Sequence, residues 1–365
     1  MKLMVLGADM SNLAVIDAFS SFIWTERYWE YGDFELVLAP SNEMVELFKP
    51  DRYLWYEDTS ELMIIEDIEI SSAIDEGAEM TINGRSLTSL LDRRIIWEAT
   101  TLKGTISECV KKLLDENIIA ASDAKRNITN LVYREPTTFD PSTITIDSGI
   151  EQGESLYDVI ESLCRSKRIG FHIFNDPEND GQFIFQLYSG ADHSYAQTTN
   201  PYVVFSNDFQ SLVNTNVKTT NSTRKNVALV KGPEVDEKLY LGYAELEGTS
   251  PTGIDRRETF VQASDIKTED DAEQKLPDDQ IVEQLNQSGS ESLAKLGVET
   301  EFDGETDQNG QFQFQRDYFM GDICQMDNEY GMSFQSRITE YIRSQDGNGF
   351  SAYPSFTVVG QEGDD

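Results

Sequence analysis

Apolar and polar positions alternate along most of this chain with the two-residue period of a strand. Residues 14–24 are apolar and aromatic, and Phe34-Glu35-Leu36-Val37-Leu38 follows the turn residues Tyr31-Gly32-Asp33. That order predicts strand, turn and strand. Residues 63–70 form another strand, with Ile64, Ile68 and Ile70 on one face. Residues 78–83 continue the sheet, so the early region reads as a small β-barrel or sandwich.

Two segments change period. Thr105-x-x-Glu108 is a capping box, in which each side chain satisfies a free backbone N–H at a helix start. Behind it Ile106, Cys109, Val110, Leu113 and Leu114 follow helical spacing. Ser155-x-x-Asp158 opens a second helix, with Leu156, Val159, Ile160, Leu163 and Cys164 on one face. Arg165, Lys167 and Arg168 suit its negative end, and Gly170 is placed to stop it. Residues 171–174, a turn over 175–181, and residues 182–188 read as a hairpin. After Pro201 strands return at 202–205, 227–230, 319–326 and 333–341. Residues 277–296 predict a helix with Pro277 near its first position and Ile281, Leu285, Leu293 and Leu296 inward. Between them, residues 234–283 carry 15 acidic and 5 basic side chains, the pattern of a solvated face or mobile loop. Residues 360–365 read as a frayed tail.

The expected class is mainly β with an α+β insertion. The expected division is a barrel-like domain over 1–100, an α+β domain over 101–200, and a second barrel-like domain with an acidic loop over 201–365.

Composition narrows the function. The 365 residues include 19 Phe, 15 Tyr and 4 Trp, enough aromatic surface to argue against global disorder. The 29 Lys and Arg against 66 Asp and Glu give 29 − 66 = −37. Such a chain lacks the cations that a broad nucleic-acid grip or an anionic membrane surface requires. Cys109, Cys164 and Cys324 form no CxxC and are an odd number, so reduced, buried thiols are expected. The N-terminal residues turn polar at Asp9 and no apolar run reaches the roughly 18–20 residues of a span, so neither a signal peptide nor a membrane anchor is expected.

Candidate chemistry is sparse. His172 sits in a strand and His193 in a polar turn, and neither stands beside a nucleophile elbow or a zinc-ligand cluster. Glu305-x-Asp307-x-Asn309-Gly310 resembles half of a calcium loop, but the twelfth position is Arg316, not a carboxylate. A polar turn before a strand over 311–315 fits better. Asn83-Gly84-Arg85-Ser86 has no lysine and is no phosphate loop. No catalytic, cofactor or metal residue is assigned, and no enzymatic activity is expected. Arg93-Arg94, four and three residues before Trp97, stands out in so acidic a chain. Arg and Trp are enriched at interfaces, so Arg93, Arg94 and Trp97 are candidate contact residues. Arg256 and Arg257 are a second candidate pair. An intrachain ion pair is the alternative in both places.

Several segments resemble a known family. The run from Trp24 through Tyr28, Tyr31, Gly32 and Phe34 to Leu36 resembles the opening of a tail-hub family of long-tailed siphophages. Asn83-Gly84-Arg85-Ser86-Leu87 with Arg93-Arg94-Ile95-Ile96-Trp97 is similar to its second signature. Leu187-Tyr188-Ser189-Gly190-Ala191-Asp192, Val204-Phe205-Ser206-Asn207-Asp208-Phe209 and Gly253-Ile254-Asp255-Arg256-Arg257-Glu258 are similar to later ones. Gly321-Asp322-Ile323-Cys324 and Arg337-Ile338-Thr339-Glu340-Tyr341-Ile342 complete the order. The resemblance spans residues 14–356.

It implies a baseplate hub at the virion tail tip, assembled in the host cytoplasm: two small β-barrels plus α+β units, three copies closing a ring. The implied partners are two further copies, the tail tube or distal tail protein, the tape-measure protein, and receptor-binding or fibre proteins. DNA passes through such a ring without specific binding, and an acidic lining would repel its phosphates. High-salt adaptation is another source of acidity. Family members are often longer, with a receptor-binding or wall-degrading extension. This sequence stops soon after the hub core, so that role is not implied here. The rival readings are a tail-associated cell-wall hydrolase, which needs a cleft of converging carboxylates or a metal, and a carbohydrate-binding receptor module, which needs an exposed aromatic platform.

Overall fold

The computed structural model describes residues 2–57, 59–73, 77–179, 181–209, 211–235, 238–246, 248–263, 266, 268, 275–296, 299–306 and 310–359. The chain is mainly β. Its contacts form two compact units, Met1–Asn216 with Asp303–Glu362, and Val217–Phe302.

The first unit is built on an eleven-stranded sheet. One end of the path is Val204–Ser206, followed by Ile323–Asp327, Ser333–Asp346 and Ser21–Arg27. It continues through Asp33–Leu38, Gly77–Ser86, Leu62–Ala73, Tyr53–Tyr56 and Leu3–Leu6 to Asn12–Ile16. Gly349–Val358 pairs beside Ser333–Asp346. The path is open, and no sheet closes into a barrel among the described residues. The barrels expected at the two ends of the chain are replaced by this one sheet, because Ser333–Asp346 hydrogen-bonds directly to Ser21–Arg27. An aromatic and aliphatic core of Phe22, Trp24, Phe34, Leu36, Leu54, Met63 and Ile82 lies on one face.

The α+β insertion forms as expected. Thr105 and Glu108 make both bonds of the capping box, and the helix Ile106–Leu114 follows. The helix Leu156–Ser166 is capped by Ser155. The strands Gly170–Asn175 and Phe183–Tyr188 form the hairpin, and Leu131–Arg134 adds in parallel. Ile106, Val110, Leu113, Ile160 and Phe171 share a core with Leu87, Leu91 and Ile96 from the preceding turn and with Leu62 and Ile64 from the large sheet. The insertion therefore has no core of its own. All three cysteines are buried and free.

Several local expectations are corrected. Residues 14–24 are two strands, Asn12–Ile16 and Ser21–Arg27. In 62–73 a β-bulge between Ile65 and Asp67 reverses the side-chain parity. Ile64 consequently joins the insertion's core, Ile68 packs on the opposite one, and Ile70 is exposed. Gly170 does not stop its helix; Arg168 does, at φ 59°. The strand expected over 319–326 begins only at Ile323, because Asp322 captures the Phe319 N–H at 2.7 Å in a turn. Residues 311–315 are not a strand but lead into a turn bridged by Phe314 and Tyr318. Residues 307–309 of the calcium-loop resemblance lie outside the described residues.

The second unit has a sheet of Lys238–Glu245, Val227–Val235 and Glu258–Gln262, the last pair parallel. The helix Asp278–Lys295 packs on it, with Pro277 as its N-cap rather than its first residue. Ile281, Leu285 and Leu293 bury against Ala228, Val230, Tyr240 and Ala244. Close approach is made possible by glycine: a Cβ on Gly242 would lie 2.5 Å from Leu285 Cβ. Part of the acidic stretch 234–283 is thus ordered strand and helix, with Tyr240, Ala244, Ala263 and Ile281 inward.

Candidate functional site

Four of the recognised segments meet at one place in the first unit. Tyr28 is fully buried and donates through its hydroxyl to the Arg168 carbonyl oxygen at 3.0 Å. A Cβ on Gly170 would stand 2.4 Å from the Tyr28 ring, and one on Gly321 2.3 Å from it. Gly190 abuts Gly321 so closely that a Cβ would fall 2.0 Å from its carbonyl carbon. Asp322 accepts the N–H of Ala191 at 2.6 Å, and Arg337 donates to the Gly321 carbonyl at 2.7 Å. Residues of the segments 24–36, 187–192, 321–324 and 337–342 are therefore parts of one junction.

Each candidate contact residue has an intrachain role. Arg93 forms ion pairs with Asp51 at 3.3 Å and Glu66 at 3.6 Å. Arg94 donates to the carbonyl oxygens of Arg126 and Arg93. Ile96 is buried, whereas Ile95 and Trp97 are exposed, the alternation of extended chain. Trp97 is 55% exposed. The guanidinium over its ring belongs to Arg126, 5.0 Å from the centroid. Arg126 is held by Ile95 O at 2.8 Å and Asn117 Oδ1 at 3.1 Å. Trp97, Arg126, Asn117, Asp115 and Glu116 line a cleft of about 290 Å³. Sequence reasoning missed Arg126, which comes 29 residues after Trp97 in a short turn.

Arg256 lies in the second unit, 2.6 Å from Glu258 and 6.0 Å above the Tyr243 ring. Arg257 donates its backbone N–H to Asn226 Oδ1 at 2.7 Å and its guanidinium to the Asn221 carbonyl. Beside them runs an exposed apolar row. Phe260, Leu229 and Tyr243 are in register across the three strands, with Leu241 next along. The opposite face carries the helix. The signal was present: residues 239–244 have apolar side chains at both parities, as a strand covered on two faces does.

The contacts of the two histidines are with a carbonyl, a carboxylate and aromatic rings. His193 Nδ1 donates to the Pro201 carbonyl at 2.7 Å, and its Nε2 lies 3.5 Å from Asp322 Oδ2. His172 makes tilted ring contacts with Phe174 and Tyr188, at centroid distances of 4.6 and 4.7 Å. Among the described residues no group of three or more His, Cys, Asp or Glu is arranged to hold a metal, and no helix is long and apolar enough to cross a membrane.

Residues 2–356 match the family described as Siphovirus ReqiPepy6 Gp37-like protein. The chain belongs to this siphovirus tail-protein family. Solved structures share the fold along the whole chain. A tail protein from Neisseria meningitidis MC58 aligns with TM-score 0.56 and 13% identity, over 99% of this chain and 98% of that one. The prophage tail protein gp18 from Listeria monocytogenes EGD-e aligns with TM-score 0.56 and 12% identity, over 98% and 94%. The 43 kDa tail protein of prophage MuSo2 from Shewanella oneidensis aligns with TM-score 0.57 and 13% identity, over 98% of each chain. Comparison with curated proteins finds no match. This siphovirus tail protein is thus a structural component of the virion tail.

Proposed function

We propose that the protein is the hub of the tail tip, three copies closing a ring that joins the tail tube to the host-attachment proteins and lines the DNA exit. The observation that carries this reading is the family match along nearly the entire chain. The charge of −37 supports it, since a lumen that passes DNA should repel phosphate. The role is one of binding and assembly, without turnover. The segment containing Arg93, Arg94 and Trp97 is assigned to the contact between copies. Arg126 belongs with them, because it presents a guanidinium on the exposed Trp97 ring. Arg256 and Arg257 border the apolar row of the second unit and are assigned to a further contact.

Mutual repulsion of chains carrying −37 opposes the ring, and salt screens that repulsion. Light scattering of the full chain across salt concentrations is expected to show trimer increasing with salt. The double variant Arg93→Ala/Trp97→Ala is expected to shift the balance toward monomer. A trimer unaffected by the double change would discard this interface and keep the ring. A monomer in every salt at high concentration would contradict self-assembly of the free chain.

A further inference from the structure

The first unit contains a cavity of about 470 Å³. Glu26, Glu61, Tyr188, Phe314, Phe319 and Met320 are among its lining residues. Glu61 is only 7% exposed, and its Oε2 is buried without a hydrogen-bond partner. A buried carboxylate left in that state is costly, and native proteins normally satisfy it.

The cations nearby are already engaged. Arg343 pairs with Glu26, and both are buried. Arg27 pairs with Asp33 at 2.6 Å and Glu340 at 2.7 Å. Of the carboxylates lining the cavity, Glu26 is paired with Arg343 and Asp322 accepts the backbone N–H groups of Ala191 and Phe319, which leaves Glu61 as the one with an unsatisfied oxygen. Burial, followed by the Glu26 carboxylate, pushes the Glu61 pKa well above the usual range. The walls add a second requirement. Phe314, Phe319, Met320 and Tyr188 offer aromatic and thioether surface, and Phe319 is exposed.

A calcium or magnesium ion does not suit this lining, because such ions take about six or more oxygen ligands and Glu26 is already committed to Arg343. A purely apolar group would leave Glu61 unpaired. A positive head on an apolar stem answers both conditions. We infer that the cavity receives one lysine or arginine side chain from a neighbouring protein of the tail. The head pairs with Glu61, and its methylenes lie along Phe314 and Met320. The aromatic faces add cation–π attraction. Only the source of the side chain rests on the tail-tip reading; the chemistry of the cavity does not.

The test uses the full chain with its methionine methyls isotopically labelled, observed by NMR. The probes are n-butylguanidinium, n-butylammonium and n-butanol. Both cations should move the Met320 methyl resonance saturably, while n-butanol at equal concentration leaves it in place. Glu61→Gln should weaken cation binding at least tenfold. Equal shifts from alcohol and cation, or undiminished cation binding by Glu61→Gln, would overturn the proposal. If Glu61→Gln does not fold, the alcohol and cation arms on the wild type decide. A negative result leaves the trimeric ring standing, and a tail without such a ring leaves a positive result standing.

Discussion

Tyr28 has no room to move. Its ring lies against Gly170 and Gly321, and Gly321 also holds φ at 87°. Gly321→Ala therefore meets two penalties, overpacking of about 1–3 kcal/mol and a left-handed residue of about 1–2 kcal/mol. Gly170→Ala meets the first alone. Urea denaturation should rank Gly321→Ala below Gly170→Ala and both below the wild type; a wild-type midpoint for Gly321→Ala would contradict this packing. His172 makes a separate statement about pH. Burial lowers its pKa to about 4 from 6.5, so the unfolded chain binds its proton first. The stability from keeping it neutral is complete above about pH 6.5 and is lost as pH falls toward about 4. His172→Phe keeps an aromatic ring beside Phe174 and Tyr188 and removes the titration. Denaturation at pH 7 and pH 5 should show the wild type losing more stability than His172→Phe; equal losses would refute the assignment. In the sequence, Tyr28, Gly190 and Gly321 were legible only as members of a familiar order. Their reason, mutual contact, needs three distant segments brought together.

At the level of elements, Ser333–Asp346 joins the ends of the chain. Arg343 sits opposite Trp24 in the register with Ser21–Arg27, placing its guanidinium on Glu26. It also lies 4.6 Å from the Tyr341 ring centroid. Arg343→Met should cost about 3–5 kcal/mol, because Glu26 and Glu61 then share a buried region without that cation. Adding Glu26→Gln should restore part of the loss, as read by chemical denaturation. A neutral single change would contradict the account of this ion pair. The elements themselves were legible where their signals are local. Thr105 and Glu108 announce a helix within four residues, and helical spacing then identifies the buried face. The bulge at 65–67 was not legible, since nothing in Ile65-Glu66-Asp67 marks an extra residue. Nor was the partner of Ser21–Arg27, which lies more than 300 residues away, as the 313-residue separation of Arg27 and Glu340 illustrates. Without that pairing, one open sheet reads as two barrels.

At the scale of the molecule, the candidate surfaces were legible unevenly. Arg93 and Trp97 stood out because cations are few, yet Arg93 spends its charge on Asp51 and Glu66 within the chain. Trp97 receives its cation from Arg126, and only the folded turn brings the two together. Glu61 was invisible among 66 acids, because burial distinguishes it and sequence does not. The acidity itself was plain, and it bears on the proposed assembly, in which three such chains would bring together a charge of −37 each. The most direct measurement of that claim is an electron cryomicroscopy reconstruction of the intact tail. The account predicts three copies of this fold in a closed ring at the distal end of the tail tube, around an acidic channel. A different copy number, or a position along the tube or away from the axis, would contradict it.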